Sequence, residues 1–377
     1  MMVNWKIGLM VFSQIMVFLI NSDIVDQVIA GDQNAIEVIH QCVFAVKMGR
    51  HVVLINILDL RKLIDLDEIF TRQEIAVFLK LKSWCVSLGN LKQSVSVKVI
   101  VTYSKSTHRV KNEIYLNPRE TKNFDFISET QLLTENLDDA HFFMDYLLPY
   151  YQRKSKIRHV RVNSRNLMGG GDTTEEVYKE EIKEEKRLIL CITDSDYKYK
   201  GSTSLGSTAS KVQRQYCLNP FNAGFYSMQY VREVENLIPH SIILNNTNLK
   251  HHFLIVHSLK FDFSYFDMKD GIKEYQLIDP HQFAYWKQEF ANTPLESKLN
   301  RLYRDKLSSK ETSTGIHKDD KFVDGFGSNI LKQSIDLLGK NLPKVEDSDL
   351  SDSQRHEWFN IGREILCWCC CYEKIIL

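Results

Sequence analysis

Six carboxylates fall in three spaced pairs along the chain: Glu135 and Asp139, Asp194 and Asp196, and Glu233 and Glu235. A four-residue step puts Glu135 and Asp139 on one face of a helix, and Asp194 and Asp196 point the same way along an extended chain. Each pair follows an apolar run that reads as a strand. In a parallel sheet ligands gather at the carboxyl ends of the strands, which is where all six would meet. Carboxylates crowded together repel, so divalent cations are their natural neutraliser. Hard oxygen donors select Mg²⁺ or Mn²⁺ over zinc. Each pair also has a plainer reading. An acidic helix start meets the favourable end of the helix dipole, Asp-x-Asp occurs in turns, and Glu233 with Glu235 suits a solvated strand end. Their ordered recurrence behind strands favours a site.

The elements that must position these groups are legible as patterns. Phe126 to Glu135 reads as a strand ending on a carboxylate, and Leu137, Ala140, Phe143, Met144, Leu147 and Leu148 then recur at helical steps. Ile157 to Val162 reads as a short strand, followed by Gly169-Gly170-Gly171. Glu175 to Lys186 is a charged surface helix, with Glu175 and Lys179 spaced for an i,i+4 pair. Leu188 to Ile192 is a continuous apolar strand running into Asp194-Ser195-Asp196, and a strand from Phe225 to Val231 leads to Arg232-Glu233-Val234-Glu235-Asn236. This alternation predicts an α/β fold with a parallel sheet flanked by helices over residues 126–245. Residues 1–125 read as an N-terminal α/β domain of undetermined role, with strands at His51–Leu58 and Val97–Val101 and a helix within Asp67–Leu88. Residues 246–377 open with a strand at Phe253–Val256 and become mainly helical, with a loop-like stretch from Ser308 to Asp320.

A chain of 377 residues has room for two or three domains, and 44% hydrophobic with 25% charged residues excludes wholesale disorder. Lys and Arg total 48, as do Asp and Glu, so a polycation is excluded and any nucleic-acid surface must be a local patch. Arg153, Lys154, Lys156, Arg158, Arg161 and Arg165 supply one such patch, which would attract phosphates and equally suits a solvated loop and strand edge. Ser204-Leu205-Gly206-Ser207-Thr208 is a candidate to hold a scissile strand. The apolar stretch Ile7–Ile20 is too short to span a membrane and lacks a cleavage site, so a buried strand or helix is expected, with a signal anchor as the alternative. The eight cysteines are not spaced as a secreted disulfide framework, and a reducing cytoplasm is the expectation.

Taken together, Glu135-x-x-x-Asp139, the Gly169–Gly171 turn and Asp194-x-Asp196 resemble the acidic signature of the topoisomerase–primase (TOPRIM) fold. Arg232-Glu233-Val234-Glu235-Asn236 is similar to the later acidic element of its nuclease branch, which includes the overcoming-lysogenisation-defect nucleases and bacterial anti-phage effectors. The resemblance covers about residues 126–240. It implies a phosphodiester hydrolase using two Mg²⁺ or Mn²⁺ ions, with Glu135, Asp139, Asp194, Asp196 and Glu235 as ligands and Glu233 competing with Glu235. In that scheme Asp194 and Asp196 anchor one ion, Glu135 and Asp139 the other, and Glu235 bridges. A lysine late in such domains assists, for which Lys269 is the candidate; Glu135 and Lys269 are the expected catalytic groups. Related enzymes carry an ATPase domain, yet no G-x-x-x-x-G-K-[ST] occurs here, and Gly339-Lys340 is followed by Asn341. The partners implied are therefore nucleic acid (DNA or RNA) and a separate ATPase subunit, with a homodimer also allowed and no membrane. The alternative is a non-catalytic sensor or scaffold subunit for such an ATPase.

Other motifs point less far. Cys367-Trp368-Cys369-Cys370-Cys371 contains one C-x-x-C and no second ligand pair nearby, so packing of a terminal helix is expected rather than zinc. The twelve histidines show no metal-ligand spacing. Asp23, Asp26 and Asp59 follow apolar runs in the N-terminal region and suggest a PIN-type nuclease only as a minority reading.

Overall fold

Asn56 decides where the first apolar run stops being a strand. Its Oδ1 accepts the Leu58 N–H at 3.0 Å and caps a helix, so the run from His51 to Leu58 splits. Only Val53–Ile55 remains extended, while Ile57 and Leu58 open the next helix. The continuous strand expected from β-branched content is corrected by one side chain able to cap. In the computed structural model, residues 15–87, 95–120, 124–125, 127–157, 160–257, 261–308, 320–339 and 345–376 are described.

The first sheet comprises β1 (Ile15–Ile20), β2 (Val53–Ile55), β3 (Val95–Val101), β4 (His108–Val110) and β5 (Glu113–Leu116), in the order β2-β1-β3-β5-β4. All neighbours are parallel except β4, which closes the edge antiparallel to β5. Helices α1 (Ser22–Ile29), α2 (Gln33–Met48), α3 (Ile57–Ile64) and α4 (Arg72–Ser87) cross between the first three strands.

The second sheet carries the acidic pairs. Its strands are β6 (Thr130–Thr134), β8 (Ser164–Met168), β9 (Ile189–Thr193) and β10 (Ala223–Ser227), all parallel, in the order β10-β9-β6-β8. A short β7 (Arg161–Val162) lies outside it. From β6 the chain enters α5 (Leu137–Phe142), passes a π turn at Phe143–Leu147 and continues as α6 (Leu148–Lys154) to β8. Helix α7 (Thr174–Glu184) leads from β8 to β9, and α8 (Ser207–Leu218) from β9 to β10. Side chains alternate across the sheet as strand geometry requires. Leu133, Ile189 and Cys191 pack with Tyr178, Ile182 and Val212 of α7 and α8. Leu132, Leu190 and Ile192 face the larger core on the other side, with α5 and α6. Glu175 does not pair with Lys179; it meets Arg214 and Gln215 of α8, because α7 and α8 lie side by side.

The remaining chain forms α9 (His240–Asn245), α10 (Lys250–His257), α11 (Pro280–Glu289), α12 (Pro294–Ser308), α13 (Ile330–Leu338) and α14 (Asp352–Cys369). Two short antiparallel pairs complete it: β11 (Gly271–Lys273) with β12 (Lys321–Asp324), and β13 (Cys370–Cys371) with β7. The strand expected at Phe253–Val256 is helix α10. Phe253 and Val256 are buried while Leu254 and Ile255 are exposed, a three-residue step that four consecutive apolar residues cannot reveal by themselves. Most of the loop-like stretch from Ser308 to Asp320 lies outside the described residues. Helix α14 packs against β6, β9 and β10, and the cysteines at its end are buried in the larger core. No helix among the described residues is long and apolar enough to cross a membrane.

Candidate metal centre

In the second sheet β6 lies between β8 and β9, so the chain leaves β6 and β9 in opposite directions. Strand ends that part in this way open a crevice at the carboxyl edge of a parallel sheet. Glu135 follows β6 and Asp194 follows β9, placing both at that opening. The Asp194 N–H donates to Glu135 Oε1 at 3.3 Å. The three-glycine turn pins the same segment from its backbone: Gly170 N–H donates to the Glu135 carbonyl at 3.0 Å, and Gly170 and Gly171 take left-handed φ values of 79° and 64° that favour glycine.

Asp139 sits in the first turn of α5, where its Oδ2 accepts the Asn136 N–H at 2.9 Å. Asp139 thus serves as half of a capping box, as its plainer reading supposes, while its carboxyl also lies within the field of Glu135 and Glu235. Asp196 has a left-handed φ of 56°, a bend that returns the chain toward Gly206, whose N–H donates to the Ser195 carbonyl. A Cβ on Gly206 would fall 2.0 Å from Asp196 Oδ2 and 2.5 Å from its Cβ, so only glycine permits this packing.

The third pair is not a strand end. β10 stops at Ser227, and Glu233 and Glu235 occupy the entrance and first turn of a 3₁₀ helix at Val234–Leu237. The expectation that they share a strand face is corrected, yet the tight turn still delivers both to one place. Lys269 Nζ lies 3.0 Å from Glu235 Oε1 and 3.6 Å from Glu233 Oε2. Glu233 Oε1 accepts the Met268 N–H at 2.9 Å, and Asp194 Oδ1 accepts the Val234 N–H at 2.9 Å. Carboxylate oxygens of Asp194, Glu233 and Glu235 lie within 4.8 Å of one another. Glu235 Oε2 is buried and has no hydrogen-bond partner.

The electrostatics follow from this crowding. Burial, reinforced by the Asp196 charge, raises the Glu135 carboxyl to about 7. Burial with Glu235 and Glu135 nearby raises Asp139 to about 7, and burial beside Glu235 raises Glu233 to about 8. Asp194 is pushed well above the carboxylate range by burial and by Glu135, and burial raises Glu235 despite Lys269. Burial alone would lower Lys269, but Glu233 and Glu235 outweigh it and hold the ammonium charged. Among the described residues Lys269 and, through Glu233, Arg232 act on these acids, fewer cations than carboxylates. A buried oxygen without a partner beside two other carboxylates fits a divalent ion bound by oxygen.

The basic stretch is not brought here. In the parallel register Ser164 of β8 pairs with Thr130 and Met168 with Thr134, so the residues before Ser164 precede the entrance of the strand, away from the carboxyl edge. Lys154 is paired with Glu346 and Asp347, Arg153 with Glu346, and Arg161 with Glu373. Lys156 and Arg165 are exposed, and Arg158 lies outside the described residues. Around the first sheet Asp23 Oδ2 accepts from Thr102, Tyr103 and Ser104 and ties the exit of β3 to α1, while Asp59 takes Ser22 and Lys62 and Asp26 is exposed beside Lys62, contacts that join α1 to α3.

Sequence reasoning missed the residues that hold the third acidic element. Asn236 Oδ1 accepts the Glu233 N–H, and its Nδ2 donates to the carbonyls of Phe263 and Phe266. From α14, Gln354 donates to the carbonyls of Asn236 and Ile238, Trp358 to Leu237, and Glu357 accepts the N–H groups of Gln229 and Tyr230. The 3.6-residue stripe shared by Gln354, Glu357 and Trp358 was the signal available, read in the sequence only as part of a helix. Asp267 pairs with Arg232 at 2.6 Å, and Asp262 caps the turn at Phe263–Tyr265. No family model, curated protein or solved structure matches the chain.

Proposed function

We propose that the chain is a Mg²⁺- or Mn²⁺-dependent nuclease of TOPRIM-like type, hydrolysing phosphodiesters as an anti-phage effector. The observation that supports this reading best is the buried, unpartnered Oε2 of Glu235 beside Asp194 and Glu233. Those three residues would hold a divalent ion, with Glu135, Asp139 and Asp196 along the same edge for a second. A bound ion supplies Lewis acidity toward a phosphoryl oxygen and a more acidic water. The chain's own groups do the rest. Glu135 has Oε1 fixed by the Asp194 N–H, which orients the carboxylate to take a proton at Oε2 from the attacking water. Lys269 remains charged at neutral pH and offsets charge that develops on the phosphate. The test is cleavage of plasmid DNA and of RNA with either ion. Activity unchanged in both Asp194→Asn and Glu135→Gln sinks the proposal.

A second reading has its own observation. Lys269 already neutralises part of Glu233 and Glu235, as a scaffold subunit of a separate ATPase would need in order to fold without metal. Mn²⁺ titration followed by thermal unfolding separates the two. An ion at about 100 times its dissociation constant adds about 2.7 kcal/mol of stability. A nuclease centre shows that gain, and loses it in Glu235→Gln; a scaffold shows neither.

A further inference from the structure

Lys269 brings a positive charge into the acidic edge without being buried like the acids it meets. Its ammonium lies 3.0 Å from Glu235 Oε1 and 3.6 Å from Glu233 Oε2, and the charge of Asp194 acts on it as well. The lysine side chain is 33% exposed, whereas those of Glu233 and Glu235 are 7% and 5% exposed. The ammonium thus reaches two buried carboxylates from a more open side, and the second oxygen of Glu235 stays buried and unpartnered beside it.

The main chain around Lys269 is held on several sides. Gly327 N–H donates to the Lys269 carbonyl at 3.0 Å, and Phe326 N–H to the Met268 carbonyl at 2.7 Å. Met268 N–H donates to Glu233 Oε1 at 2.9 Å. A Cβ on Gly325 would fall 2.3 Å from the Lys269 carbonyl oxygen, so the chain leaving β12 packs directly on this residue. Movement of the charge therefore falls to the four-carbon stem, which is flexible and needs no backbone change.

That charge and a divalent ion would compete for the same oxygens. The Met268 N–H takes Glu233 Oε1, which leaves Oε2, the oxygen facing Lys269, for the cluster. Mg²⁺ binds oxygen at about 2.0–2.1 Å. An ion at that distance from Glu233 Oε2 and from a carboxylate oxygen of Glu235 would share ligands with the ammonium. Like charges a few ångströms apart repel far more strongly in such a buried place than in water.

We propose that Lys269 is a resident cation exchanged for a divalent ion. In the metal-free protein its ammonium holds Glu233 and Glu235 together; when Asp194, Glu233 and Glu235 take the ion, the side chain swings out on an unchanged main chain. The inference rests on the metal-centre reading above and adds its regulation. The lysine becomes free to meet a phosphate only once the ion has arrived, and metal affinity is set by the exchange rather than by the acids alone.

The test uses the full-length protein and reads Lys269 directly. Trace acetylation by acetic anhydride, followed by peptide mass spectrometry, is compared in EDTA and in saturating Mg²⁺, with the exposed Lys179 of α7 as internal reference. Modification of Lys269 relative to Lys179 should rise about fivefold with the ion, because the released amine is no longer held against carboxylates. Calorimetric titration with Mn²⁺ is the second readout. Lys269→Met keeps most of the stem without the charge and should bind Mn²⁺ about tenfold more tightly than wild type. In EDTA the same variant should unfold at lower urea, since Glu233 and Glu235 lose their cation. Saturable Mn²⁺ binding by wild type with Lys269 no more reactive than in EDTA overturns the exchange and leaves the metal centre standing, lysine and ion then being held together. Unchanged or weaker Mn²⁺ affinity in Lys269→Met overturns the exchange as well. Absence of Mn²⁺ uptake by wild type and Lys269→Met alike overturns the metal-centre reading and the exchange with it. Should Lys269→Met fail to fold, the acetylation of wild type decides alone.

Discussion

At Glu235 one carboxylate oxygen meets Lys269 and the other is buried bare, whereas both oxygens of Glu233 have partners, Met268 N–H and Lys269. The difference ranks two residues that periodicity could not separate. Glu235→Gln removes charge with little change in volume and is expected to lower metal-dependent cleavage by about two orders of magnitude or more, on the scale of losing an electrostatic group of the reaction. Glu233→Gln is expected to lower it clearly less, because both oxygens of Glu233 already have protein partners. Single-turnover rates with Mn²⁺ check both; the reverse order would move the ligand role to Glu233. Gly206 offers a second residue-scale test. Alanine there must displace Asp196, so Gly206→Ala should weaken Mn²⁺ binding about as much as Asp196→Asn does, although position 206 carries no acid. Wild-type metal affinity in that variant would separate Asp196 from the site.

Among the elements, α14 has the longest reach in sequence. Glu357 is buried, accepts two backbone N–H groups of the segment leading to Glu233, and takes the Tyr226 hydroxyl. Burial raises its carboxyl, while these donors work against that. Truncation leaves buried donors unpaired at about 1–3 kcal/mol each. Glu357→Ala should therefore cost about 2–4 kcal/mol in urea unfolding. It should also lower cleavage beyond its effect on the folded fraction, because the turn bearing Glu233 and Glu235 loses its clamp. Glu357→Gln, which keeps one acceptor, should recover part of both. Stability loss with the rate per folded molecule unchanged would reduce α14 to a packing element.

Across the whole molecule the two sheets meet through buried polar contacts. The Cys370 thiol reaches the Met16 carbonyl of β1, Thr130 of β6 donates to the Trp368 carbonyl, and Tyr372 to Val53 of β2. His51, just before β2, shares this seam: its Nε2–H donates to the Ser128 carbonyl at 2.8 Å and its ring lies 4.6 Å from Phe18. Burial lowers this imidazole from 6.5 to about 4. Between those values the unfolded chain binds a proton that the folded chain does not. The stability tied to neutral His51 is full above about pH 6.5 and is lost as pH falls toward 4, about 3 kcal/mol in all. His51→Gln cannot titrate and should flatten that part of the stability–pH curve between pH 6.5 and 4, read by urea midpoints. An unchanged slope would place the acid sensitivity elsewhere.

Local chemistry determined much of this protein directly. Apolar runs and helical steps specify β6, α5, α7, β9 and β10, because burial patterns have fixed periods of about 2 and 3.6 residues, whereas the strand expected at Ile157–Val162 precedes the sheet strand β8 and α8 is not among the expected helices. The acids after β6 and β9 were legible because parallel strands end at one edge, whereas Glu233 and Glu235 reach that edge through a 3₁₀ turn well past β10. Short runs carry no period, and so Phe253–Val256 and Ile57–Leu58 were settled by what they pack against and by a cap. Strand order, the seam between sheets, the clamp from α14 and the arrival of Lys269 beside Glu235 depend on contacts between segments far apart in the chain. The basic stretch shows the limit most plainly: Lys154 and Asp194 belong to the same βαβ-type succession, yet parallel register sends one to the entrance of the sheet and the other to its exit. Charge type is written in the sequence, but which charges share a low-dielectric crevice is decided by how the strands are ordered and which ends face the same way.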